Sequence, residues 1–133
     1  MSRDTEDMKA MLAMKRIAVV GLSNNPARPS YGVAQYMMAA GYEIIPVNPG
    51  HEEMFGLKCY PTLADIPDPV DVVDVFRRPE HTPEVAKAAV AIGAKGLWLQ
   101  QGIGNAEARQ IATEGGLLYT ENRCIKIEHA ALL

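Results

Sequence analysis

Arg16-Ile-Ala-Val-Val-Gly21-Leu-Ser23-Asn-Asn-Pro-Ala-Arg28-Pro-Ser30-Tyr31-Gly32 is the stretch around which this chain is organised. Ile17 to Val20 is a short apolar run with the β-branched content of a buried strand. It stops at Gly21, where a backbone can turn tightly or let a ligand approach closely. A polar loop follows, and Ser30 is placed to cap the next helix by accepting from an unpaired N–H. Strand, glycine turn and helix N-terminus together can hold a phosphate, so this loop is expected to take the phosphate end of a nucleotide-like ligand. Gly21 also admits the plainer reading of a strand-to-helix turn; the polarity and length of the loop favour the ligand.

Outward from this stretch, strands and helices alternate. Met8, Met11 and Leu12 recur at helical spacing and predict an N-terminal helix within residues 1–15, its methionines filling core. Val33, Tyr36, Met37 and Ala40 share one helical face, ended by Gly41. Glu43–Val47 is a second strand closed by Asn48-Pro49-Gly50, and Leu57–Tyr60 is read as an edge strand. Pro61 to Pro67 holds one helical turn, and Asp71–Phe76 is the next strand. Thr82-Pro83-Glu84 predicts a helix start with a capping hydroxyl, a first-turn proline and an acid at the positive dipole end. Gly96–Leu99, a helix capped by Asn105 and ended by Gly115-Gly116, Leu117–Thr120, and a last helix from about Asn122 or Arg123 complete the chain.

This alternation predicts an α/β fold: a Rossmann-like, doubly wound parallel sheet in a single domain spanning 1–133. With Leu57–Tyr60 as third strand the order is 3-2-1-4-5-6, and the switch point lies between the first strand and the one ending at Phe76.

The 133 residues suit one domain, and 48% hydrophobic with 22% charged residues describes a globular chain. A net charge of −3 lacks the basic surplus of a nucleic-acid binder. No apolar run approaches a membrane span, and no secretory leader is read at the N-terminus. Cys59 and Cys124 form no CxxC pair and read as buried, reduced thiols, so the cytoplasm is expected. Three scattered histidines predict no metal site; His51-Glu52-Glu53 lacks the second histidine of HExxH, and neither GxSxG nor GK[ST] occurs.

Ligands of such sheets sit beyond the strands' carboxyl ends. The corners there are Gly21-Leu22-Ser23, Val47-Asn48-Pro49, Phe76-Arg77-Arg78-Pro79 and Leu99-Gln100-Gln101-Gly102. They offer amides and guanidinium groups but no carboxylate, a set suited to phosphate. For NAD the pattern is poor. The first turn departs from GxGxxG, and Asn48 stands where an acid would take the ribose hydroxyls.

Gly21-Leu-Ser23, Arg28-Pro-Ser-Tyr31-Gly32, Val47-Asn48-Pro49, Gly56-x-x-Cys-Tyr60-Pro61-Thr-Leu, Phe76-Arg77, Trp98-Leu-Gln100-Gln101-Gly102 and Asn122-Arg-Cys124-x-x-x-Glu128-His129 occur in this order. As a set they resemble the small stand-alone CoA-binding proteins, which are similar to the domain opening the α-subunit of succinyl-CoA synthetase. The resemblance implies a Rossmann-like fold and coenzyme A, free or acylated, as cofactor. It also implies site residues. Gly21 and Ser23 would meet the diphosphate, with Arg28 and Ser30 reaching a phosphate and Tyr31-Gly32 opening the helix aimed at it. Val47, Asn48 and Pro49 would border the adenosine, Phe76 would lie against adenine or pantetheine, and Gln101 and Gly102 would line the pantetheine side. Arg77 would meet phosphate, and Arg77 or Arg78 would serve the 3′-phosphate.

Each has a plainer reading: the arginines as solvated charges, Tyr31 as core, Asn48-Pro49 as a turn, Trp98 packed on a helix. The resembled synthetases need further domains for their chemistry, and no acid, base or nucleophile stands in the crevice. The expected role is a CoA carrier, sensor or accessory module, with a protein partner or a second copy of the chain left open. The alternative is an NAD(P)-dependent oxidoreductase with an atypical glycine fingerprint.

Overall fold

A computed structural model describes residues 3–133; the first two residues of the expected 1–15 and 1–133 segments lie outside it. The elements, in chain order, are α1 (Arg3–Leu12), β1 (Arg16–Val20), α2 (Pro29–Ala39), β2 (Glu43–Val47), β3 (Glu53–Met54), β4 (Leu57–Lys58), β5 (Val72–Val75), α3 (Thr82–Ala91), β6 (Gly96–Leu99), α4 (Ala106–Glu114), β7 (Leu118–Thr120) and α5 (Ile125–Leu132). Five parallel strands form one sheet in the order β2-β1-β5-β6-β7, with Ala18 beside Ile45 on one side and Val73 on the other.

Helices cover both faces. Ala86 and Ala89 of α3 and Ala108 and Ala112 of α4 pack on Ala18, Val20, Val73, Val75, Leu97 and Leu99. Their small side chains let these helices lie close together: a Cβ on Gly115 would come within 2.5 Å of Val90. The opposite face is richer in methionine, with Met8, Met11, Met37 and Ile125 against Ile17, Val19, Val72 and Trp98. Strands covered on both faces read as continuous apolar runs, which is why the sequence showed them plainly. The exception is Asp74 in β5, 1% exposed between Val19 and Trp98.

α1 lies along the outer edge of β7. The Asp7 carboxylate accepts from the Tyr119 N–H (3.1 Å), and Asp4 accepts from the Thr120 hydroxyl and pairs with Arg123. Carboxylates thereby take up an edge strand's free donors.

The third strand position is reduced to one residue. Leu57–Lys58 pairs antiparallel with Glu53–Met54 as a separate hairpin, and only Tyr60 bridges in parallel to Val47. The carbonyl of Pro46 faces this outer edge, accepting from the Tyr60 N–H (3.0 Å). Pro46 has no N–H to return, so the edge cannot support a continuous ladder.

Two expected caps are also built otherwise. α2 starts at Pro29 with Arg28 at its cap position, and Ser30 is buried inside the first turn. A 3₁₀ turn, Pro79–His81, precedes α3, and the Thr82 hydroxyl donates to the Pro79 carbonyl (2.7 Å) instead of capping. Asn105 does cap α4, accepting from the Ala108 N–H (2.9 Å). No helix of the described residues is long and apolar enough to cross a membrane.

Candidate functional site

At the carboxyl ends of β1 and β5 the chain closes on itself around Gly21. Its φ is +83°, its N–H donates to the Val47 carbonyl (2.9 Å), and a Cβ there would stand 2.4 Å from the Phe76 carbonyl oxygen. Only glycine fits. The approach that demands it comes from the neighbouring strand's own backbone, and the Arg77 side chain lies over the same point, its Cδ 3.0 Å from that Cβ.

The loop beyond Gly21 is held by its own polar groups. Ser30 Oγ accepts from the Ser23 N–H (2.9 Å), Ser23 Oγ from the Asn25 N–H (3.0 Å), and Asn25 Oδ1 from the Ala27 N–H (2.9 Å). Such side-chain turns fix a backbone without a ladder. Asn48 ties the loop to β2: its Nδ2 donates to the Leu22 carbonyl (3.0 Å) while its Oδ1 accepts from the Gly50 N–H (3.0 Å).

These pieces enclose a cavity of about 470 Å³. Gly21, Ser23, Arg28, Ser30, Asn48, Phe76 and Arg77 line it, as does Arg78. Among the described residues the side chains of Arg28, Arg77 and Arg78 have no ion-pair or hydrogen-bond partner, and no carboxylate lines this cavity. Pro29 and Ser30 bring the first turn of α2 to its wall, adding a positive dipole end. Unneutralised cations beside a helix N-terminus make a concave surface that favours an anion with several charges.

Arg77 also lines a neighbouring cavity of about 170 Å³ with Val47, Pro49, Leu63, Val85 and Ala88. This slot is mostly apolar; Glu84, from α3, is an acid that the four strand-end corners did not include. A wider concavity of about 840 Å³, reached past Pro49 and His51, is walled by Glu52, Glu53, Lys58 and Cys59. Burial pushes the Cys59 thiol up, against a smaller opposing influence of the Asn48 backbone, and the thiol donates to the Asn48 carbonyl (3.5 Å).

Four of the expected site residues line none of these cavities. Tyr31 packs its ring on Phe55, centroids 4.8 Å apart. Gly32 is exposed on α2, with open space around it. Gln101 and Gly102 sit exposed in the turn after β6, where the Gly102 N–H donates to Asn122 Oδ1 (2.7 Å). Their neighbour Gln100 is the buried one, its Oε1 accepting from the Ile125 N–H (3.1 Å) at the start of α5. His51 and Ile103 line the 470 Å³ cavity unforeseen, and Pro79, from a corner already marked, joins them. Of these, His51 had a usable signal, three residues beyond Asn48 on a corner already marked.

A family model described as a CoA binding domain matches residues 15–130. The chain is 48% identical over 116 residues to the uncharacterized protein YneT of Bacillus subtilis, covering 87% of this chain and 86% of that protein. It is 33% identical over 92 residues to the ADP-forming acetate–CoA ligase II of Archaeoglobus fulgidus, covering 68% of this chain but only 14% of the ligase. A solved structure of a hypothetical protein from Pyrococcus horikoshii is 43% identical and superposes with a TM-score of 0.92, over 96% of this chain and 91% of that one.

Proposed function

The chain belongs to the CoA-binding domain family, and from that premise we propose that it binds coenzyme A or an acyl-CoA in the paired cavities beyond β1, β2 and β5. The observation that carries this reading is the set of three guanidinium groups, unpartnered among the described residues, that share a cavity with the first turn of α2. Coenzyme A carries a diphosphate and a ribose 3′-phosphate, and charge-assisted hydrogen bonds to such groups are the strong kind. Gly21, Ser23, Arg28 and Ser30 are assigned to the diphosphate, and Arg77 and Arg78 to the remaining phosphate.

The apolar slot beside Arg77 has the size and lining for a flat purine, so Val47 and Pro49 border the adenine, with Leu63, Val85 and Ala88 as further walls. Phe76, in the wall of the 470 Å³ cavity, is assigned to the adenine or the pantetheine, and Gln101 and Gly102 are left for the pantetheine arm. In this reading the protein acts in the cytoplasm as a carrier, sensor or accessory module, delivering its bound state to a protein partner or a second copy of itself. Its relatives among the acetate–CoA ligases carry much longer chains around the matched region.

Titration calorimetry with CoA, dephospho-CoA, NAD and NADP tests this. CoA is expected to bind, and dephospho-CoA more weakly for want of the 3′-phosphate. Heat with NAD or NADP and none with CoA would overturn the reading in favour of an oxidoreductase.

A further inference from the structure

We propose that the β3–β4 hairpin holds the anion-binding loop in its binding geometry and that Phe55 is the positioning residue, an inference that rests on the CoA reading of that cavity. The hairpin meets the loop and α2 at both of its ends. At its base, the Asn48 N–H donates to the Tyr60 carbonyl (2.9 Å) and the Cys59 thiol to the Asn48 carbonyl (3.5 Å), while Asn48 Nδ2 reaches the Leu22 carbonyl. At its tip, the Phe55 ring packs on Tyr31, two residues beyond Pro29 in the cavity wall.

The tip is strained. Phe55 and Gly56 form a two-residue turn with φ of +55° and +72°. Asn-Gly or Gly-Gly would satisfy such a turn without penalty. A bulky aromatic in the left-handed region is unfavourable, and strain of this kind persists where the surroundings hold it. Two residues per strand cannot keep a hairpin in place alone. What holds it is buried Met54, the Asn48 hub and the Phe55–Tyr31 contact, and the last of these presses on the helix turn that lines the anion cavity.

Phe55→Gly removes the ring and the strain together, and Phe55→Tyr keeps the ring. Phe55→Gly is expected to melt no lower than the wild type yet bind CoA about tenfold more weakly, because the loop loses its preorganisation. Without ligand, hydrogen exchange at the Val33 and Ala34 amides should quicken in Phe55→Gly and return to wild-type rates in Phe55→Tyr. Wild-type CoA affinity or unchanged exchange in Phe55→Gly would overturn the hairpin's role. Absence of CoA binding by the wild-type protein would instead overturn the ligand reading, so the two failures are distinguishable.

Discussion

The two ends of the sheet treat charge in opposite ways. Where the strands begin, cations and acids find each other. Arg16 pairs with Glu43 and donates through Nε to the Pro69 carbonyl (2.6 Å), and Asp71 accepts from the Lys15 and Arg16 N–H groups (3.2 and 2.9 Å) with the Lys95 ammonium 3.5 Å away. Where the strands finish, Arg28, Arg77 and Arg78 face a cavity with no partner among the described residues. Leaving like charges together costs stability, whereas pairing them does not. The contrast separates an end whose charges are neutralised within the fold from an end whose cations are left facing a cavity.

The sharpest break in that contrast is Gly21→Ala. The added methyl meets the Phe76 carbonyl at 2.4 Å in a left-handed backbone, so about 3 kcal/mol of stability should be lost in a denaturant titration. A loss below about 0.5 kcal/mol, the ordinary size for an unconstrained surface position, would mean the strands are not so close there.

Arg77→Ala should next weaken CoA binding by roughly thirtyfold, about 2 kcal/mol for a charge-assisted contact, with the melting temperature unchanged. Affinity that also falls with added salt would confirm that phosphate is what the arginines meet. An unaltered Kd would show that the cation-rich end does not hold the ligand through Arg77.

At the paired end, Asp71→Ala should cost about 1.5 kcal/mol by stranding two backbone donors. Burial pushes the Asp71 carboxyl up, but the Arg16 and Lys15 N–H groups and the Lys95 ammonium outweigh it and leave it below its ordinary value. A lowered value in the folded state means its contribution is present above about pH 4 and is lost as pH falls below that. Stability curves of wild type and variant should therefore converge in acid.

Asp74 belongs to neither end. It sits mid-sheet with one carboxylate oxygen unpartnered among the described residues, and burial drives its carboxyl far up despite the Val75 N–H. A raised folded value means stability falls as pH rises from about 4 toward that value. Asp74→Asn should thus gain about 1 kcal/mol at neutral pH in chemical denaturation, and nothing in acid. The smallest effect is expected from Gly32→Ala. With open space around it and an ordinary helical backbone, it should stabilise by about 0.5 kcal/mol and leave CoA affinity intact.

Much of the fold could be read along the chain, and less of the site. The five sheet strands and the Asn105 cap stand where periodicity and capping chemistry put them. Ser30 and Thr82 carry the same signal as Asn105, but each is met by a distant or preceding turn that takes its hydroxyl: the Ser23 N–H in one case, the Pro79 carbonyl in the other. Leu57–Tyr60 reads as a strand and is half hairpin, because the side of β2 it would join presents Pro46 outward. Seven of the thirteen expected site residues meet in the 470 Å³ cavity and Val47 and Pro49 in the 170 Å³ slot beside it; Tyr31 is held by Phe55 instead.

The order of strands and helices, the glycine turn after β1 and the donor-rich, acid-poor strand ends were legible in the sequence by itself. They follow from hydrophobic period, punctuation by glycine and proline, and residue type, all of them local properties. Which arginines stay unpaired, which polar side chains are consumed in shaping the loop, and that Gly21 answers to Phe76 were decided only in three dimensions. Those outcomes depend on which groups from remote parts of the chain arrive within hydrogen-bonding or van der Waals distance, and no local pattern records that.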